Sequence, residues 1–271
     1  MQQPKSRKRK QPVNNTELIT SGETSVRKFG LSSAALKIIA LVSMTCDHVS
    51  YIMSRFGLTA QGPLIAGIPI LRIIGRLAFP LYAFMMAQGA KYTRDINKYL
   101  KRLFIFALIS EIPFDIAAKL SSPLEIIEFT YQNVYFTLLL GLAAIKVHKI
   151  LEEKGKAPLS VLTAAGLAAI AYFMKTDYSW SGVVCIYIMY LVQDTDIRIK
   201  IPAMAAAILP TVFSMMNFNK SQLFAFFALI PILLYNGKPG RRMNRTFFYA
   251  YYPAHLLIIY VILYIAVFII R

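Results

Sequence analysis

Apolar residues along this chain come in long unbroken runs separated by short polar stretches. The first run, Leu36 to Met53, reads LKIIALVSMTCDHVSYIM. Such runs lack the period-two alternation of barrel strands, and at roughly 20 residues they match a bilayer crossed by a helix. The pattern predicts an all-α, polytopic transmembrane bundle of about nine spans, with limits near 34–54, 64–90, 99–118, 133–151, 158–174, 180–193, 200–216, 221–236 and 246–270. The four spans within 158–236 are shorter than a typical crossing, which predicts little tilt, a locally thinned bilayer or re-entrant segments. Pro69 and Pro80 lie inside the long second run, where either would kink it.

Composition agrees with this reading: 57% of residues are hydrophobic and 16% charged, against about 25% charged in soluble domains. The net charge of +17 would point to nucleic acid in a soluble protein, but here it follows membrane topology. Most of the 30 Lys and Arg fall in alternate loops, those reached at Lys37, Lys91–Arg102, Lys146–Lys156, Arg198–Lys200 and Lys238–Arg245. The intervening loops hold Arg55, Lys119, Lys175, Lys220 and Arg271. Positive charge marks the cytoplasmic side, so the N-terminus is expected inside and the C-terminus outside, in a cell membrane with lipid as the solvent. Residues 1–30, with KSRKRK at Lys5–Lys10, read as a disordered basic cytoplasmic tail near anionic lipid and lack the apolar core of a signal peptide. Residues 31–271 form the membrane domain. Cys46 and Cys185 read as buried thiols, and no spacing suggests a metal site.

Polar residues inside the apolar runs are the functional candidates, because a charge at the centre of a spanning helix costs about 3 kcal/mol or more. Asp47 and His48 interrupt the first span. Arg72 and Arg76 are one turn apart on the second and need anions. Glu111 and Asp115 share a face near the outer end of the third, where Asn133 opens the fourth. Asp177, Tyr178 and Trp180 occupy an outer turn, and His255 lies in the last span within YYPAHLL. At about 1.5 Å per residue, His48 and the carboxylates sit in the outer half, the arginines near mid-depth and His255 in the inner half. Such a path suits a reaction joining a cytoplasmic anionic donor to an outer acceptor.

Neighbours in sequence do not face each other on a helix. Asp47 is therefore expected to hold neighbouring helices, while Glu111 or Asp115 orients His48 as a general base. Structural alternatives stand beside these roles. Glu111 and Asp115 would also serve as counterions to Arg72 and Arg76, His255 as a core histidine, and Trp180 as part of an interfacial aromatic belt. His148 is assigned no role.

Seven strings carry a resemblance to a known family: LKIIALVSMTCDHVSYIM, LRIIGRLAFPLYAFMMAQG, KYLKRLFIFALISEIPFD, QNVYFTLLLGL, DYSWSGV, QLFAFFALIPILLYNGKPG and FFYAYYPAHLLIIY. In this order, over about residues 34–265, they resemble the TraX family. The resemblance implies an integral membrane acetyltransferase, similar to the protein that acetylates the N-terminus of F-type pilin and distantly related to membrane acyltransferases of polysaccharides and lipids. Acetyl-CoA is the donor it implies, and its matched polar positions are Asp47, His48, Arg76, Glu111, Asp115, Asn133 and His255.

Combined with depth, the resemblance suggests a division of labour. Lys98, Arg102, Arg241, Arg242 and Arg245 would hold the donor's phosphates at the inner mouth. His48 would act as base or carry the acetyl group, with Arg76 steadying the oxyanion. Asn133, Arg72, Asp177, Tyr178 and Trp180 would face an outer peptide N-terminus, polysaccharide or small molecule. A proton-coupled transporter using Asp47, His48 and Glu111, and a non-catalytic scaffold, are the competing classes.

Overall fold

The computed structural model describes residues 30–57, 67–118, 131–216 and 220–268. Nearly all of the expected basic tail, and the loop carrying Glu125 and Glu128, lie outside the described residues. The helices are α1 (Ser33–Arg55), α2 (Gly67–Gly75), α3 (Ala78–Tyr92), α4 (Ile96–Ala118), α5 (Val134–Glu153), α6 (Leu159–Phe173), α7 (Ser179–Leu191), α8 (Ile197–Met216), a 3₁₀ helix (Lys220–Ala228), α9 (Leu229–Leu233) and α10 (Arg245–Phe268). No β-strand occurs among the described residues; two isolated bridges join Leu31 to Tyr235 and Gln132 to Thr176. Among the described residues, five helical segments are long and apolar enough to cross a membrane: Ser33–Arg55, Gly67–Tyr92, Val134–Glu153, Ile197–Met215 and Arg245–Val267. The seventh run, expected to be short, extends back to Ile197 and reaches 20 residues.

Neighbouring contacts close a ring in the order α1, α10, α4, α5, α7, α8, 3₁₀ helix, α2 and back to α1. Helix α3 passes through the middle, touching α1, α5, α7 and the 3₁₀ helix, while α6 lies outside against α5 and α7. Small side chains let α3 sit there: Ala83, Ala87 and Ala90 are fully buried, and small residues allow close helix approach where lipid supplies no hydrophobic drive. The outer faces are apolar, with Phe104, Leu108 and Ile112 on α4 and Ile258 and Ile262 on α10 all exposed. Patches of this extent fit a lipid surround.

The second run breaks where Pro80 dictates. Its ring clashes with the carbonyl four residues back, at Arg76, and the proline is then accommodated in the first turn of α3. Across the break, the amides of Arg76 and Leu77 bond to Ile73 and Ile74 three residues back, at 3.2 and 3.3 Å. That tightened turn frees the Arg72 carbonyl, which accepts from Arg76 Nε at 3.3 Å. Pro253 does similar work in α10. It has no N–H for the Tyr249 carbonyl, which accepts instead from Tyr135 Oη at 2.9 Å and ties α5 to α10.

Contacts between Lys37 and Phe248, Thr45 and Tyr251, His48 and His255, and Phe56 and Tyr260 climb both helices in one direction, so α1 and α10 run parallel. Their N-terminal ends share one end of the bundle. Lys91 pairs with Asp194 and Lys149 Nζ bonds the Ala90 carbonyl at 2.5 Å, which brings further basic loops together.

Candidate functional site

A cavity of about 480 Å³ lies inside the ring beside α3. Asp47, His48 and Tyr51 come from α1, Arg72 and Gly75 from α2, and Arg76 from the break. Phe79 and Tyr82 come from α3, Tyr135 from α5, Gln222 from the 3₁₀ helix, and Phe248, Tyr252 and Leu256 from α10. Thr176, Asp177, Tyr178 and Ser179, between α6 and α7, close one end. A second hollow of about 350 Å³ backs onto Tyr51 and Arg72.

Asp47 is the anion that both arginines need. Its Oδ1 accepts from Arg76 Nη2 and, at 3.2 Å, from Arg72 Nη1. Arg76 also donates to Gln222 Oε1 at 2.8 Å, and Arg72 lies 5.7 Å from the centroid of the Tyr51 ring. The approach of α2 to α1 depends on Gly75: a methyl group there would overlap Cβ of Asp47. Arg76 is left with 5% of its side chain exposed and Arg72 with 23%, so Arg72 is the guanidinium with more room to meet a ligand.

His48 Nδ1 lies 2.6 Å from His255 Nε2, and His255 Nδ1 lies 2.7 Å from the Tyr251 carbonyl. His48 lines the cavity with His255 behind it. This overturns two expectations. The orienter of His48 is His255, not Glu111 or Asp115, and the two imidazoles share one height instead of occupying opposite halves. Depth counted along each helix missed the match because the paired contacts, from Lys37–Phe248 to Phe56–Tyr260, advance 19 residues along α1 against 12 along α10.

Glu111 serves the α4–α5 junction instead. Its Oε2 accepts from Asn133 Nδ2 at 3.0 Å, and the same amide reaches the Ala107 carbonyl at 2.8 Å. Asn133 Oδ1 caps α5 by accepting from the Tyr135 amide at 3.0 Å. Fully buried and away from the cavity lining, Asn133 is a structural cap and not a substrate contact. Asp115 is buried off the lining as well, and Trp180, 40% exposed, is also off the lining.

The α6–α7 turn is strained. Lys175, Tyr178 and Ser179 have φ of 51°, 61° and 47°, a region non-glycine residues rarely adopt. It is held by the Asp177 amide on the Gln132 carbonyl at 2.8 Å and by Thr137 Oγ1 on Thr176 and on the Asp177 carbonyl. Strain here places Asp177 and Tyr178 at the cavity, with Tyr178 stacked on Phe79 at 3.8 Å. Burial pushes the Asp177 carboxyl up to about 6, against the pull of Arg76 and Arg72.

Basic residues gather at the opposite end, near Phe248. Lys37 Nζ stands 5.4 Å from that ring's centroid, Arg245 opens α10, and Arg102 lies over Tyr99 at 5.9 Å. Lys98 pairs with Asp95 at 3.3 Å, and Arg241 and Arg242 are exposed in the approach to α10. Sequence reasoning missed the aromatic wall of Tyr51, Phe79, Tyr82, Tyr135, Phe248 and Tyr252, and missed Gln222. Individually these look like core residues; only their convergence on one cavity marks them.

A family model described as "TraX protein" matches residues 32–263. "Probable fimbrial assembly protein FimC, serogroup H1" of Dichelobacter nodosus is 27% identical over 253 residues, covering 85% of this chain and 95% of its own length. No solved structure matches the chain.

Proposed function

The chain belongs to the TraX family, and from that membership together with the cavity we propose that it is an integral membrane acetyltransferase. The donor is acetyl-CoA and the acceptor an amine or hydroxyl at the opposite face of a cell membrane. The observation that carries the reading is the cavity that sets His48 beside Arg72 and Arg76, between the Asp177 turn and Phe248, over which Lys37 stands. Donor phosphates would rest on Arg102, Arg245 and Lys37, with the pantetheine arm alone in the cavity past Phe248. Lys98, Arg241 and Arg242 would add to the field at that mouth.

His48 takes the proton of the acceptor as its nitrogen or oxygen attacks the thioester carbonyl. Arg72 receives the developing oxyanion more readily than Arg76, whose donors are committed to Asp47, Gln222 and the Arg72 carbonyl. Collapse breaks the carbon–sulfur bond, and the proton passes from His48 to the leaving thiolate. An acetyl-His48 intermediate would follow the same balance in two steps. The relative named for fimbrial assembly makes a pilus-subunit peptide one acceptor to test, alongside polysaccharides.

Protein in liposomes, supplied with radiolabelled acetyl-CoA and candidate acceptors, tests the reading. We expect His48→Ala to lower transfer about 10²- to 10⁴-fold, and Arg72→Leu to lower it with little change in donor binding. Equal transfer by folded His48→Ala would overturn the assignment. Solute accumulation without any acyl donor would favour a transporter.

A further inference from the structure

We infer that a backbone carbonyl and His255 together select the tautomer of His48, leaving Nε2 as its reactive nitrogen. The inference deepens the reading of His48 as the base, but it rests on hydrogen-bond direction and not on acetyl transfer. A carbonyl oxygen has no proton to give. His255 Nδ1, 2.7 Å from the Tyr251 carbonyl, must therefore be the N–H donor of that bond. Neutral His255 then has only a lone pair at Nε2. The 2.6 Å contact closes only if His48 Nδ1 carries the hydrogen and donates to it. The remaining His48 nitrogen, Nε2, keeps its lone pair. The opposite assignment needs a doubly protonated His255, a buried cation whose two ring nitrogens meet an imidazole and a carbonyl; Asp47, next to His48 in sequence, is committed to Arg72 and Arg76.

The seam between α1 and α10 holds this chain of bonds in place. Thr45 Oγ1 donates to the Leu41 carbonyl at 2.9 Å, so at its 2.7 Å contact with Tyr251 Oη it is the acceptor. Tyr251 is thus tied to α1 one turn before His48, and its ring stacks on His255 at 4.9 Å and 12°. His255 is a positioning residue that stands behind a cavity-lining base. When Nε2 takes a proton from an acceptor, His48 Nδ1–H already points at His255 Nε2. A proton can cross that bond, so one positive charge is shared by two rings until the leaving group removes it.

The sequence has only three histidines, His48, His148 and His255, which makes ¹⁵N spectroscopy of histidine-labelled protein in nanodiscs a direct test. Single substitutions of each histidine assign the signals. We expect His48 and His255 both as Nδ1–H tautomers in the wild type. In His255→Leu, His48 should move to the Nε2–H form that free imidazole side chains prefer. His255→Gln, whose side-chain carbonyl can accept from His48 Nδ1, should keep His48 as Nδ1–H and retain at least tenfold more transfer than His255→Leu. Wild-type His48 found as Nε2–H, or a His255→Leu protein whose His48 stays Nδ1–H, overturns the inference. The tautomer readout needs no acetyl donor. Expected tautomers with no transfer would sink the acetyltransferase reading alone, and transfer with the wrong tautomer would sink this one alone.

Discussion

Replacing Asp47 with Asn keeps the shape of the side chain and removes the carboxylate that, among the described residues, is bonded to both Arg72 and Arg76. Breaking a buried ion pair from one side costs about 3–5 kcal/mol, because the surviving charge stays buried. Arg76 has 5% of its side chain exposed, so it cannot rehydrate. It keeps Gln222 Oε1 at 2.8 Å and the field of Asp177, which puts the expected loss at the lower end, about 3 kcal/mol. Arg76→Met should cost less, since Asp47 retains Arg72. The double variant should lie well short of the sum, with a coupling of about 1.5 kcal/mol or more. Unfolding in mixed micelles with rising SDS fraction, followed by circular dichroism, measures all three. A loss under about 0.5 kcal/mol for Asp47→Asn, or strict additivity in the double variant, would refute the claim that Asp47 neutralises the arginines.

Other expectations follow from neighbouring features. Gly75→Ala should destabilise by about 1–3 kcal/mol, because its methyl meets Cβ of Asp47 at a helix crossing; the same titration detects it. Asn133→Ala should lose the α5 cap and the tie to α4, about 1–2 kcal/mol, with transfer activity retained once folded. For Asp177, the folded value of about 6 lies above 3.8, so the folded state holds a proton that the unfolded chain has released. Its contribution is fully present below the unfolded value and is lost as pH rises through about 6. The melting temperature of Asp177→Asn should therefore rise relative to wild type from about pH 4 to about pH 6 and level off above that; a flat difference would count against that shift.

Element existence was legible in the apolar runs, because a helix in lipid must bury its own backbone bonds and show a continuous apolar surface. A kink at Pro69 or Pro80 was legible, though not which of the two, and the polar residues worth attention, Asp47, His48, Arg72, Arg76 and His255, were visible as violations of that surface. Asp47 as the residue that holds helices together was also legible, since an intramembrane carboxylate one residue from His48 must face elsewhere. Partner choice was not. His48 meets His255 and Glu111 meets Asn133 because of how α1 packs along α10 and α4 along α5, neither of which leaves a mark on local sequence. The aromatic wall was hidden for a related reason. A tyrosine against a cavity and a tyrosine in a core have the same neighbours in sequence, and only the ring of helices around α3 decides which is which.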